Sequence, residues 1–180
     1  MKCHLAGLMA GALLFSTAAL AQSAGEKTGA NSMLGVAPKT ADFVKEAAMS
    51  DMLEIESAKI AVQKGNGPEK KFAEQMITDH TKTSSELKSM ANSSNLKADI
   101  PTALDSSSQS KLQKLRDAKP ENFASQYDPM QVSAHKDAVS LFERYAKGGD
   151  DPKLKDWAAK TLPALQHHLE MAQEMDKKRK

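Results

Sequence analysis

Apolar residues recur at helical spacing in four long stretches of this chain, separated by short runs rich in Gly, Pro and Asp. The first stretch predicts a helix from about Thr40 to Lys64, with Thr40 able to cap it and Gly65 and Gly67 after its end. Phe43, Ala47, Ser50 or Asp51, Glu54, Ala58 and Ala61 share one stripe, widened by Val44, Leu53 and Ile55. Glu54 therefore falls at or beside the buried face, and Glu56 away from it. Pro68 suits the first turn of a second helix reaching about Ser93, with Phe72, Ala73, Met76, Ile77 and Leu87 on its inner face. His80 and Ser84 lie on that same face, so an imidazole stands where a core residue is expected. The loop Gly65–Gly67 is short enough to make these two helices antiparallel neighbours.

The pattern then breaks. From Asn92 to Lys119 the chain is turn-rich, and Pro101 forbids a long helix through it. Asp105 to Ala118 can still form a short helix with Leu112 and Leu115 inward. This connection is long enough to cross the length of a bundle. A third long helix is predicted from about Pro120 to Lys147, with Phe123, Tyr127, Met130 or Gln131, Ala134, Ala138, Leu141, Phe142 and Tyr145 inward and His135 on the edge of that face. Gly148 and Gly149 end it. Asp150 or Asp151 caps a fourth helix with Pro152 at its first position. Its inner stripe is Leu154, Trp157, Ala158, Thr161, Leu165, His168, Ala172 and Met175, and Pro163 should kink it. The pattern predicts an all-α four-helix bundle with a short extra helix between helices two and three.

Residues 1–21 change the picture at the N-terminus. Lys2, the apolar run Leu5 to Leu20 and the small residues Ala19-Leu20-Ala21 read as a secretory signal cleaved after Ala21. A membrane anchor fits less well, because the run is short and broken by Gly and Ser. The expected location is the periplasm, with outer-membrane association left open. Residues 22–39 read as a flexible leader, 40–177 as the bundle domain with connecting segment 94–119, and 178–180 as a basic tail that is solvated or touches anionic lipid. Cys3 would leave with the signal, so any metal site must use His, carboxylate or Met. With a formal charge of +2 over 180 residues, nucleic acid is not an expected partner. An envelope protein or a membrane surface is, and the oligomeric state is open.

Four candidates stand out, one per long helix: Glu54, His80, His135 and His168. At about 1.5 Å per residue, Glu54 and His80 lie roughly 17 and 18 Å from the same end of the bundle. In a simple up-and-down chain His135 and His168 lie roughly 18 and 24 Å from that end, and with a crossover connection roughly 23 and 12 Å. Either way all four fall within about two turns. Glu54 as anionic ligand with three neutral imidazoles would hold one divalent transition metal: iron, zinc, copper or manganese. The competing account is that the histidines are core residues hydrogen-bonded to Glu54, Thr81 or Ser84. Asp79 is an outer or surface partner, and His167 points about 100° away from His168. A dinuclear oxidase would show Glu-x-x-His pairs, but Ile77, Val132 and Leu165 stand three residues before the histidines. No phosphate loop or readable nucleophile triad is present, so no catalytic residue is assigned. The methionines fit core filler better than a copper(I) site.

Taken in order, the EIES segment, MITDH, F-x-x-x-Y, Val132 to His135, LFE and LP-x-L-x-x-HL (Leu162 to Leu169) resemble the exported bacterial family of unknown function numbered 4142. The resemblance spans about Ala41 to Met175. It implies a ferritin-like periplasmic bundle whose polar positions are Glu54, Asp79, His80, His135 and His168. It supplies no activity. The family's frequent Asp after the Phe of F-x-x-x-Y is Ala124 here. The leading expectation is a non-enzymatic envelope protein with one metal ion between its helices. Its rivals are a metal-free structural or interaction module and a metal-dependent oxidoreductase of envelope stress defence.

Overall fold

The structure, a computed structural model, describes residues 30–93 and 98–179. The predicted signal and residues 22–29 of the leader lie outside the described residues. Those described form α1 (Ala30–Leu34), α2 (Thr40–Lys64), α3 (Gly67–Ser93), α4 (Ser106–Asp117), α5 (Pro120–Gly148) and α6 (Pro152–Arg179). The four long helices make two antiparallel hairpins, α2 with α3 and α5 with α6. No strand occurs among the described residues, and no helix there is long and apolar enough to cross a membrane.

Three contacts fix how the hairpins pair. The Thr40 hydroxyl meets the Tyr145 hydroxyl at 2.6 Å, and Phe43 stacks on the Tyr145 ring with centroids 3.9 Å apart. The start of α2 therefore lies beside the end of α5. Trp157 Nε1 donates to Glu86 Oε2 at 2.8 Å, placing the start of α6 beside the end of α3. With both pairs antiparallel, α3 finishes at one end of the bundle and α5 begins at the other. The connection must run the full length, and Lys64 Nζ, at the far end of α2, accordingly donates to the carbonyls of Arg116 and Ala118. The crossover alternative is the one adopted.

Local signals behave as short-range physics dictates, with one exception. Asp105 caps α4 through the Ser108 N–H at 2.7 Å, and Asp151 caps α6 through the Leu154 N–H at 2.9 Å. Thr40 does not cap α2. It is the first helical residue, and its hydroxyl reaches across to Tyr145 and Asp150 instead. The hydroxyl thus ties α2 to the α5–α6 turn. Gly149 ends α5 because a Cβ there would lie 2.7 Å from the Tyr145 ring. Residues 32–37, in the leader expected to be flexible, pack on α5: Ser32 Oγ lies 3.0 Å from Ser140 Oγ, and Arg144 Nη1 donates to the Val36 carbonyl at 2.7 Å.

The core is two apolar clusters. One holds Phe43, Leu87, Leu141, Phe142, Tyr145, Leu154, Trp157 and Leu165. The other holds Leu53, Ala58, Phe72, Met76, Leu112, Leu115, Phe123, Tyr127 and Met175. On α3, α5 and α6 the buried polar residues His80, Gln131, His135 and His168 fall between these two sets. A polar layer divides the bundle.

Candidate metal centre

His80, His135 and His168 converge at mid-bundle. Their ring centroids are 5.5 to 5.8 Å apart pairwise, and one nitrogen of each lies within 4.8 Å of the others. All three are buried, at 2, 1 and 3 % exposure. His135, which spacing put at the edge of its face, is fully enclosed because α5 packs on both α2 and α6.

Each ring is held from behind by an oxygen. His80 Nδ1 donates to Asp51 Oδ1 at 2.8 Å, His135 Nδ1 to the Gln131 carbonyl at 3.0 Å, and His168 Nε2 to Asp79 Oδ2 at 2.8 Å. A carbonyl or carboxylate can only accept, so these bonds fix the N–H on the outer nitrogen. The inner nitrogens are His80 Nε2, His135 Nε2 and His168 Nδ1. None has a hydrogen-bond partner among the described residues. In neutral rings these are lone pairs within reach of one another, and a metal ion or a proton donor between them would satisfy them. Outer oxygens fixing ring orientation are also the usual support of metal-bound imidazoles. The donor set therefore fits a transition-metal ion.

For two of the three rings the protonation balance agrees. Burial and the other two imidazoles push His168 down to about 4 against the pull of Asp79. Burial likewise lowers His135, with His80 adding to it and Glu54 opposing. For His80, burial is outweighed by the Asp51 hydrogen bond and by the charges of Glu54, Asp51 and Asp79, so its pKa rises. Two of the three rings are held neutral, as ligands must be.

The Glu54 carboxylate is 1 % exposed, with neither oxygen hydrogen-bonded among the described residues. It lies outside the set of donors within 4.8 Å, yet its charge acts on both His80 and His135. Asp79 is half-turned to solvent and reaches His168 across the α3–α6 interface. Its own pKa is lowered, burial being overcome by hydrogen bonds from Gln75 and His168. His167 is exposed, 3.7 Å from Glu170. Sequence reasoning missed Asp51 as the partner of His80, with Thr83 donating to the same oxygen at 2.9 Å. The available signal was its position three residues before Glu54 on one helix face. It also missed Gln131, whose carbonyl holds His135 and whose amide donates to Ser57 at 3.1 Å.

Among solved structures, the bundle is similar to one described as "CopM in the Cu(II)-bound form", with a TM-score of 0.68 and 16 % identity. The match covers 81 % of this chain and 100 % of that one. At this identity the likeness shows a shared helical-bundle fold. No curated protein matches the chain. A family model matches residues 25–175, the span that carries every residue of the centre, and the chain belongs to that family, described as a domain of unknown function (DUF4142).

Proposed function

We propose that this is a periplasmic, ferritin-like bundle protein that binds a single divalent transition metal between its helices, with copper the first candidate. His80 Nε2, His135 Nε2 and His168 Nδ1 are the ligands, and the buried Glu54 carboxylate, outside that set, is the counter-charge beside them. The observation that carries the reading is the trio of partnerless inner nitrogens on rings already fixed by Asp51, Gln131 and Asp79. Imidazole donors suit copper, zinc, iron and nickel alike. The likeness to a protein solved with Cu(II) moves copper forward among them. Without a Glu-x-x-His pair, one ion is favoured over a dinuclear site. Location in the periplasm rests on the N-terminal signal pattern.

The bound ion would supply a Lewis-acidic, redox-capable centre. The chain's own contribution is to fix three lone pairs, keep bulk water out and hold one buried carboxylate beside them. Elemental analysis of the mature, tag-free protein, beside a His80→Ala, His168→Ala double variant, tests this. Near-stoichiometric metal lost in the variant is the expected result. A wild-type protein that carries no metal and takes up none on titration with copper, zinc, iron or manganese overturns it.

A further inference from the structure

A second set of buried polar groups extends from the histidines toward one end of the bundle. Glu54, Tyr127, Asp128 and Gln131 all have side-chain oxygens with essentially no exposed surface and no hydrogen-bond partner among the described residues. Tyr127, Asp128 and Gln131 are each 0 % exposed. An orphaned buried polar group of this kind costs roughly 1–3 kcal/mol unless water or an ion meets it. Four such groups, on α2 and α5, call for a water or an ion among them.

The groups are linked in sequence. Gln131 Nε2 donates to Ser57 Oγ at 3.1 Å and Ser57 Oγ to the Glu54 carbonyl at 3.1 Å, which sets the Tyr127–Gln131 turn of α5 against the Glu54 turn of α2, and the Glu54 charge acts on His80, His135 and the Tyr127 phenol. Burial first, then Glu54, Asp128 and Glu69, push that phenol well above its ordinary pKa. Asp128 in turn faces Glu69 of α3 and Asp176 and Arg179 of α6. Glu69 is itself buried and accepts the Asn66 N–H at 3.1 Å, in the loop that closes the α2–α3 hairpin. Tyr127 lies eight residues from His135 on α5, about 12 Å along the helix. At the opposite end no such file occurs among the described residues: there Phe43 stacks on Tyr145 and packs against Phe142 and Trp157.

We propose that Glu69, Asp128, Tyr127 and Glu54 form the path by which a divalent cation reaches the three imidazoles, and that Arg179 gates it. The proposal rests on the metal reading above. Carboxylate and phenol oxygens hold late first-row divalent ions more weakly than imidazole nitrogens do, so the ion is handed inward. Arg179 stands at the mouth. Its Nε is 3.8 Å from Asp128 Oδ2 and its Nη2 donates to Asp176 at 2.7 Å. A cation must displace this guanidinium to reach Asp128.

Stopped-flow uptake of copper(II) by the intact mature protein, followed through its visible absorption, tests the path. Asp128→Asn should slow loading about tenfold, the low end of what a focused charge gives an on-rate, while equilibrium stoichiometry stays the same. Arg179→Gln should load faster than wild type at an unchanged urea midpoint, which separates loss of the gate from a loosened bundle. Wild-type loading rates in both variants overturn the path and leave the three-histidine centre standing. A wild-type protein that takes up no copper removes the metal reading, and the path with it.

Discussion

The two halves of the core bury the same kinds of residue and treat their polar atoms differently. In the half around Phe43, Tyr145 is 0 % exposed, and its hydroxyl meets Thr40 at 2.6 Å and the Asp151 N–H at 3.4 Å. In the half around Phe72, Tyr127 is equally buried and its hydroxyl meets nothing among the described residues. One tyrosine closes a joint between α2 and the α5–α6 turn. The other lines a polar file that begins at the histidines. The first half holds the helices in register, and the second carries polar atoms that packing alone does not explain. Keeping those atoms buried without partners is a stability cost of the kind proteins carry at functional sites.

Several substitutions would break or sharpen this contrast. The largest stability effect is expected from Phe43→Ala, which empties a fully enclosed site between Phe142, Tyr145 and Trp157. It should cost about 3–5 kcal/mol in urea unfolding, with metal stoichiometry intact at temperatures where the variant is folded. If metal is lost while the fold persists, the two halves are not separable. Asp51→Asn and Asp79→Asn come next. Each disturbs the oxygen that orients one imidazole, and each should weaken metal affinity about 10- to 100-fold in competition titrations. Unchanged affinity in both would mean the rings are held by packing.

Asp128 gives a pH signature. Burial first, and then Glu69 and Asp176 against Arg179, raise it from 3.8 to about 7. The folded state therefore keeps a proton that the unfolded chain releases above about pH 4. The stability this proton confers is present below pH 4 and is lost as pH rises through about 7. Asp128→Asn should escape that loss. Urea midpoints of the metal-free proteins should diverge in favour of Asn between pH 4 and pH 8, and a constant difference would contradict the assignment. The smallest effect is expected from Tyr127→Phe. Removing an unpartnered hydroxyl should be near neutral, whereas Tyr145→Phe should cost about 1 kcal/mol. Equal costs in thermal unfolding would erase the distinction between the halves.

Much of the fold could be read from the chain. The spacing of Phe43, Ala47, Glu54, Ala58 and Ala61 placed α2, and the Pro68, Pro120 and Pro152 starts placed the other long helices. The same periodicity turned His80 and His168 inward. The rotation of a residue near the edge of a stripe was not legible. Ser50 and Asp51 were equivalent by spacing, yet Asp51 alone reaches His80. His135 seemed marginal and is enclosed. Such positions depend on how many neighbours flank a helix, which a single helix's pattern does not contain.

The sequence by itself determined the helices, their inner faces and the presence of imidazoles and a carboxylate among apolar neighbours, because these follow from 3.6-residue periodicity and local caps. Only the tertiary structure decided which ends of the helices meet. The connection through Pro101 could have turned back or crossed the bundle, and the Thr40–Tyr145 and Trp157–Glu86 contacts show that it crosses. That choice brings one nitrogen from each of three rings, on three helices, within 4.8 Å and sets Asp51, Gln131 and Asp79 behind them. Hydrogen-bond direction between side chains on separate helices is a property of their packing, and it exists only once the helices are side by side.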